Sequence, residues 1–264
     1  MMQLNEKTIR KMVADGERLD DRDLDEWRDI EVEADYVSTT SEGSAKVSIG
    51  KTQVVVGLSV EVESPYDDRP GRGTLVTNAE LAPMAAREYE SGPPQEPGVE
   101  LARVVDRGIR EAEAVDLEEL CIEEGEKVYT LFIDIHVLND DGNLIDAASL
   151  GAMTALKTGF VPEYDEETGE IQRDEKAMDI PLEKEPVTVT GHKIGDTLLW
   201  DTTREEEEAQ DARLTVSLLE SGNIVAMQKG EEQPYTQQEV MDTVETAGEM
   251  TEMLREKLDR ATGE

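Results

Sequence analysis

The sequence is poor in cysteine, histidine and phenylalanine. Among 264 residues there are one Cys, two His and two Phe. The single cysteine, Cys121, excludes an internal disulfide and any site built from several cysteines, and we expect it to be a small buried apolar residue. His136 and His192 lie far apart in the sequence and have no evident ligand partners. We therefore predict neither a metal site nor a cofactor.

Long apolar segments are also missing. No stretch approaches the roughly 18 consecutive apolar residues that a membrane-spanning helix requires. The first residues, MMQLNE, lack the apolar centre of a signal peptide. We therefore expect a soluble, cytoplasmic protein without membrane contact.

Negative charge is what the sequence has in excess. Asp and Glu number 63 against 26 Lys and Arg, which gives a net charge of −37. Such a charge discourages nucleic-acid binding and destabilises a compact fold, unless concentrated salt screens it over about 3 Å at 1 M. The composition therefore indicates a halophilic cytoplasm. Clearly patterned apolar segments argue against a disordered chain.

Residues 131–156 carry the most informative pattern, a predicted strand, turn and helix. The segment LFIDIHVL is dense in strand-forming side chains, and the NDDGN that follows tolerates turn or left-handed backbone geometry. We therefore predict a strand that ends near Asn139. From Asp146 onward, alanine and leucine favour a helix whose small side chains pack closely on a sheet.

This strand, turn and helix resembles that of the ribonuclease PH family, in which a DGGTRTA-type motif carries an arginine that holds phosphate. Residues 141–147 read DGNLIDA here, so the family's phosphate arginine falls on Ile145, with Asp146 after it. An isoleucine has no hydrogen-bond donor, and we expect the carboxylate beside it to repel an anionic substrate. The resemblance therefore implies a chain that performs no phosphorolysis.

Two further motifs make the resemblance more specific. Residues 18–22 (RLDDR) resemble the RxDGR motif near the start of these subunits, with Asp21 where glycine is usual. Residues 92–94 (GPP) and 100–107 (ELARVVDR) resemble the non-catalytic ring subunits of the archaeal exosome. The resemblance extends over most of the chain, roughly residues 16–260.

The resemblance implies an α+β fold of the ribonuclease PH type (ribosomal protein S5 domain 2-like), a sandwich built from a duplicated unit of strands and helices. Apolar periodicity and turn residues suggest where its parts begin and end. We predict an N-terminal arm with a helix at 1–28, a first half at 29–160, an acidic connection at 161–184 and a second half with a C-terminal helix at 185–264. Within these parts we predict strands at 32–37, 45–49 and 54–60, helices at 98–115 and 236–260, and a hairpin tip at 166–169.

Three arginines of one predicted helix recur at spacings of four and three residues. Arg103, Arg107 and Arg110 therefore share one face, opposite an apolar face. On so acidic a chain this face predicts contact with RNA phosphates, because short bidentate contacts persist in salt that screens long-range attraction. The alternative is salt bridging within the helix, since Asp106–Arg110 and Arg107–Glu111 are both four-residue pairs worth about 0.3 kcal/mol each.

Other charged segments receive plainer interpretations. Glu205 and Asp211 fall near a pair of carboxylates in the catalytic relatives, and without a phosphate site we expect them to be vestigial. The glutamate run 205–208 is typical of an exposed face. For the loop that carries Arg69 and Arg72, an ordinary flexible connection is the preferred interpretation, and a position facing the channel of a ring is the alternative.

The resemblance therefore implies a non-catalytic subunit of the archaeal exosome that structures the active site of a catalytic sister and helps to bind RNA. The resemblance implies three heterodimers with a catalytic ribonuclease-PH-like sister in a hexameric ring, a trimeric RNA-binding cap, and single-stranded RNA on the arginine face. Two alternatives stay open. One is an active phosphate-dependent exoribonuclease that uses another arginine, and the other is a ring scaffold whose arginine face binds protein carboxylates.

Overall fold

The computed structural model describes residues 6–37 and 39–263. Helices and strands alternate in two groups that correspond to the two halves of the chain. The helices are α1 Glu6–Ala14, α2 Glu96–Glu111, α3 Leu144–Thr158, α4 Arg204–Glu207 and α5 Gln237–Thr262. The strands are β1 Ile30–Ala34, β2 Gly43–Ile49, β3 Thr52–Glu63, β4 Thr74–Leu81, β5 Cys121–Glu123, β6 Lys127–Asn139, β7 Phe160–Asp165, β8 Glu170–Asp179, β9 Val187–Ile194, β10 Thr197–Trp200, β11 Ala212–Leu218 and β12 Ile224–Gly230.

The first sheet has the strand order β1-β2-β3-β6-β4, with β5 added to β6. Its first three strands form the antiparallel meander that the sequence predicts, because alternating apolar residues are joined by tight polar turns. The edge strand β4 instead runs parallel to β6. The first strand is shorter than expected, since Asp35 adopts a left-handed backbone (φ 52°) and ends β1 at Ala34.

The second sheet has the order β10-β9-β11-β12 and is antiparallel throughout. Helix α3 lies between the two sheets and contacts β2 and β3 on one side and β9 on the other. Eleven consecutive residues of α3, from Asp146 to Leu156, are buried. Small side chains permit this close approach: a Cβ on Gly151 would lie 2.8 Å from a methyl group of Val56. The fold is therefore the α+β sandwich that the resemblance implied.

Several predicted elements lie close to their observed positions. Helix α2 begins two residues before its predicted start and ends four residues before its predicted end. Helix α5 ends two residues beyond its predicted end. Residues 161–184 contain most of the antiparallel hairpin β7–β8, with its turn at 166–169. The expectation of a buried Cys121 is wrong, because this residue lies in the short strand β5 and is partly exposed. None of the helices in the described part of the chain has the length and apolar character needed to cross a bilayer.

The N-terminal arm packs on the second half of its own chain. Ile9 and Val13 of α1 form a small apolar cluster with Ile194, Leu199 and Ala209. Burial of these side chains gives a nine-residue helix the tertiary support that so short a helix needs. These contacts attach the arm to strands β9 and β10 of the second half.

Gly142 lies where the turn after β6 meets the second half of the chain. Its backbone is left-handed (φ 84°), and a Cβ at this position would lie 2.6 Å from the carbonyl carbon of Thr203 and 2.7 Å from the nitrogen of Arg204. These are backbone atoms, which cannot move aside as a flexible side chain can. Glycine is therefore required both by its conformation and by the close approach of the two halves.

We predict that Gly142→Ala lowers the free energy of unfolding by about 3 kcal/mol or more, because strain and overlap with backbone add together. Gly125→Ala is the matched control, since Gly125 has nearly the same φ (81°) but no neighbour within 4 Å of its Cβ position. That control should lose only about 1 kcal/mol. Denaturant unfolding at high salt measures both values, and equal losses for the two variants would contradict the contact between the halves.

Candidate nucleic-acid interface and the adjoining cleft

The predicted arginine face lies on the outward side of α2. Arg103, Arg107 and Arg110 are all exposed. On the inward side Gly98 approaches the carbonyl oxygen of Ala79, and Gly108 approaches the second sheet at Ser217. The helix is therefore fixed against both sheets, with its three arginines on the exposed side.

The three arginines differ in what they contact. Arg110 donates from Nε and Nη2 to the carboxylate of Asp106 (2.9 and 2.7 Å) and from Nη2 to the carbonyl oxygen of Leu75 (2.7 Å). Of the two ion pairs that the sequence offers, only this one forms. Within the described residues, Arg103 and Arg107 make neither a hydrogen bond nor an ion pair. In a chain with 63 acidic residues these two guanidiniums remain available to an external anion.

A cleft of about 270 Å³ lies beside Ile145, where α2, the turn before α3, β9 and α4 meet. Ile145 is partly buried and lines the cleft together with Leu144 and Asn143. Asn143 adopts a left-handed backbone (φ 60°) as the N-cap of α3. The cleft therefore occupies the place where the resemblance puts a phosphate arginine, and its wall there is apolar.

The cations that line the cleft are already engaged by carboxylates. Arg204 pairs with Asp140 and Glu88, and Arg213 pairs with Glu100. Each guanidinium would have to give up a carboxylate before it could bind phosphate. Internal carboxylates thus neutralise the positive charge of the cleft, and its charged groups are not arranged to attract an anion.

Two titratable side chains of the cleft add no positive charge. Burial lowers the pKa of His192 to about 4, although its Nδ1 lies 2.8 Å from Oε1 of Gln210, so the ring is neutral near pH 7. Burial raises the pKa of Glu207 to about 7, and this carboxylate accepts a hydrogen bond from the backbone nitrogen of Asn143 (2.7 Å). Neither group can replace the missing arginine as a phosphate ligand.

Asp146 does not have the role expected from the sequence. Its side chain is 1% exposed and points toward β9, where it accepts hydrogen bonds from the backbone nitrogen and the hydroxyl of Thr190 (3.1 and 2.8 Å). Burial raises its pKa to about 7. The expectation that this carboxylate repels an anion in the cleft is therefore wrong, because the first turn of α3 directs it into the core.

The glutamate run 205–208 is not the exposed face that we expected. Glu206 is 1% exposed and accepts two hydrogen bonds from Arg18 (2.9 and 2.7 Å). Asp211 is held by Arg10 through two hydrogen bonds (2.8 and 2.9 Å), which lower its pKa. Neither Glu205 nor Asp211 lines the cleft, where Glu207 and Glu208 are found instead. The vestigial role expected for Glu205 and Asp211 stays a prediction, since both carboxylates lie outside the cleft.

The RLDDR motif of residues 18–22 joins the arm to the second half of the chain. Arg18 donates to Glu206 and to the carbonyl oxygens of Trp200 (3.0 Å) and Asp201 (2.9 Å). Asp21, where the family has glycine, adopts the left-handed conformation that glycine favours (φ 62°). The motif therefore keeps the backbone turn despite the substitution, and its first arginine is structural.

Asp201 is the central acceptor of this buried network. Its carboxylate accepts hydrogen bonds from Arg28 (2.6 and 2.9 Å), Arg22 (3.0 Å) and Asn143 (2.9 Å). Burial alone would raise its pKa, but the hydrogen bonds and charge of Arg28 keep the pKa below its usual value. Arg28 also donates to the carbonyl oxygen of Asp141 (2.7 Å). One carboxylate thus connects the arm, the turn beside Ile145 and the second half.

The architecture defines the class of protein, a two-part ribonuclease-PH-like chain, with Ile145 at the position where the resemblance puts a phosphate arginine. Comparison with known families agrees. The pattern described as "3' exoribonuclease family, domain 1" matches residues 26–162, and that of domain 2 matches residues 184–250.

Individual relatives place the chain more narrowly. It is 45% identical over 257 residues to the exosome complex component Rrp42 of Thermococcus gammatolerans, covering 97% of this chain and 94% of the relative. It is 46% identical over 241 residues to that of Methanopyrus kandleri, covering 91% and 90%. The chain therefore belongs to the 3′ exoribonuclease family and, within it, to the Rrp42-type subunits of the archaeal exosome.

Solved structures show the same relationship. A chain of the Archaeoglobus fulgidus exosome with RNA bound to the active site superposes with a TM-score of 0.88 at 42% identity, over 96% of each chain. Rice Rrp46 superposes with a TM-score of 0.70 at 14% identity, over 94% of this chain and 100% of that one, and this likeness shows the fold alone.

We predict that Asp146→Asn changes how stability depends on pH. In the wild type Asp146 titrates near pH 7 when folded and near its ordinary 3.8 when unfolded, so the unfolded state releases the proton first. The contribution of Asp146 to stability is therefore lost as pH rises from 3.8 to 7, by at most about 1.4 kcal/mol per pH unit. Asparagine keeps an acceptor for Thr190 and does not titrate.

The variant should accordingly gain stability relative to the wild type between pH 4 and pH 7. Denaturant unfolding at pH 5 and pH 8 measures this gain, with Asp196→Asn at an exposed position as the control for loss of one negative charge. A difference between Asp146→Asn and the wild type that is the same at both pH values would refute the assignment.

Proposed function

We propose that this exosome subunit is non-catalytic and contributes structure and RNA contacts to a phosphorolytic complex. The observation that carries the proposal is the cleft beside Ile145. Phosphorolysis needs a bound phosphate as the attacking group, and the cleft combines an apolar side chain at the expected arginine position with cations that are already paired. Glu207 and Glu208 also line the cleft, and negative charge on these carboxylates opposes the binding of a phosphate anion.

The RNA-binding part of the proposal rests on Arg103 and Arg107. They are exposed on a helix that is fixed against both sheets, and neither is paired within the described residues. Two guanidiniums four residues apart lie on the same side of a helix about 6 Å apart along its axis, which suits successive contacts to one strand. Such short contacts retain strength at high salt better than long-range attraction does.

Arg110 has a smaller place in this proposal than the sequence suggested. Its Nε and Nη2 groups are occupied by Asp106 and Leu75, which leaves Nη1 for an external ligand. We keep Arg110 as an RNA contact at the end of the arginine face. Its second role is to hold the last turn of α2 on β4.

The remaining expectations belong to the same proposal. We propose a hexameric ring of three heterodimers with a catalytic ribonuclease-PH-like sister, a trimeric RNA-binding cap on the ring, and a cytoplasm rich in salt. Support for the salt comes from the net charge of −37, which screening makes tolerable. We also keep the division at residues 28, 160 and 184 as a working description of the chain. In the ring this subunit would complete the sister's active-site cleft and hold the RNA 3′ end there.

We predict that Arg103→Ala with Arg107→Ala weakens binding of single-stranded RNA by the complex reconstituted with the catalytic sister. The expected loss is about tenfold or more, since each change removes a charge-assisted contact. The slope of log affinity against log salt concentration should become shallower by about 0.7 for each lost phosphate contact. Binding titrations over a salt series measure both quantities.

Arg260→Ala is the control, because Arg260 is an exposed arginine on α5, away from the α2 face. Native mass measurement verifies that the variant ring assembles. Unchanged RNA affinity in an intact ring would contradict the RNA contact and favour the scaffold alternative.

A further inference from the structure

A second group of positive charges lies beyond the C-terminal end of the α2 face. A cavity of about 280 Å³ opens between the last turn of α2 and the loop that precedes β4. Three arginines line it, Arg69 and Arg72 from the loop and Arg110 from the helix, and Glu111 and Glu113 line it as well. The loop therefore does more than connect two strands, because it extends the arginine face of the helix.

Arg72 is the least satisfied of these arginines. It is only partly exposed, and its Nε is buried without a hydrogen-bond partner. Within the described residues it forms no ion pair, although the chain carries 63 acidic side chains. A buried donor without an acceptor costs free energy, and an acceptor on a bound ligand would remove that cost.

Arg69 and Arg110 also retain capacity for a ligand. Arg69 has one loose ion pair, with Asp68 at 3.7 Å, and its side chain is 58% exposed. Arg110 keeps Nη1 free of hydrogen bonds to the described residues while Leu75 and Asp106 hold the rest of the guanidinium in place. The cavity thus presents donors that are positioned by the fold and only partly used.

An exposed aromatic ring stands next to these arginines. Tyr66 is 63% exposed, more than any other aromatic side chain of the described residues. Its carbonyl oxygen accepts a hydrogen bond from the backbone nitrogen of Arg69 (2.9 Å), so the two side chains belong to one turn. The phenol also lies near enough to Arg110 to help raise the pKa of that guanidinium, for which the hydrogen bond to Asp106 is the main cause.

Arginines that follow a groove and an exposed ring are the two elements with which proteins hold single-stranded nucleic acid without sequence preference. Phosphates take the guanidinium donors, and a base stacks on the ring. An acidic peptide would use the arginines but would gain little from an exposed tyrosine. Stacking is also insensitive to salt, which suits a protein with this surface charge.

We propose that Tyr66, Arg69 and Arg72, together with Arg110, form a second contact site for single-stranded RNA that continues the Arg103 and Arg107 face. The proposal rests on the proposed function, because it takes RNA to follow α2. Arg103 and Arg110 are about 10 Å apart along the helix axis, so the loop site contacts nucleotides that a strand covering only the helix face does not reach.

Tyr66 provides the sharper test, since its ring and its hydroxyl can be changed separately. In the reconstituted complex, Tyr66→Leu should weaken binding of a long single-stranded RNA by about tenfold, the usual effect of removing one stacking ring. Tyr66→Phe keeps the ring and should bind as the wild type does. Equal affinities of the leucine and phenylalanine variants would overturn the stacking contact.

The arginines are tested with Arg69→Ala and Arg72→Met, where methionine keeps an apolar stem in the half-buried position of Arg72. We expect both variants to bind long RNA more weakly than the wild type. The slope of log affinity against log salt concentration should become shallower by about 0.7 for each lost phosphate contact. A short oligonucleotide that covers only the helix face should bind them as it binds the wild type. Thermal unfolding identifies any loss caused by misfolding, and Arg69→Ala remains informative if Arg72→Met is unstable, because Arg69 is exposed.

The outcomes separate this proposal from the proposed function. If Arg103→Ala with Arg107→Ala lowers the affinity for RNA but the loop variants do not, the second site is refuted and the proposed function stands. If the loop variants reduce binding of another protein subunit and leave RNA affinity unchanged, the loop site is a protein contact and the proposal fails. If Arg103→Ala with Arg107→Ala has no effect, the proposed RNA path fails whatever the loop variants do.

Discussion

The buried carboxylate of Asp201 is the interaction on which the rest of the structure depends. It is fully buried and receives donors from Arg22, Arg28 and Asn143, which lie in the arm, before β1 and in the turn before α3. A carboxylate so placed is stable only while its donors remain, and removal of one partner leaves a charge out of water. The position of the cleft beside Ile145 is therefore set by a buried charge network, and Asp201, Arg22 and Arg28 do not line the cleft themselves.

The small number of basic side chains also determines which parts of the surface can bind an anion. The chain has 26 basic residues, and the arm, the cleft and the sheet edges use many of their side chains in internal pairs. Arginines without an internal partner then stand out against a strongly acidic background. Those of α2 and of the loop before β4 lie on adjoining parts of one surface, whereas those in the cleft are neutralised. The proposed loss of a phosphate site and the proposed RNA path are thus compatible in a single chain.

The sequence predicted the fold well where local chemistry determines it. The meander, the strand that ends at Asn139 and the long last helix follow from apolar periodicity and turn residues. The loss of a phosphate arginine at Ile145 rests on the resemblance and stays a prediction. The direction of Asp146 into the core, the burial of Glu206 and the pairing of Asp211 with Arg10 were not predictable, because each depends on a contact between residues distant in sequence. Residues 18–28 carry three arginines and five acidic residues, so their composition gave no signal that Arg18 would pair with Glu206. Tyr66 gave no signal at all, since exposure of a single ring is a property of the folded surface.

We propose that this polypeptide cannot hold the phosphate that phosphorolysis consumes. Isothermal titration of orthophosphate into the isolated subunit at high salt tests it directly, with release of nucleoside diphosphates from single-stranded RNA as the chemical readout. We expect no saturable binding of orthophosphate and no release of nucleoside diphosphates by the subunit alone. Release should begin once the catalytic sister is added. Saturable binding of phosphate together with nucleoside diphosphate release by the isolated subunit would contradict it.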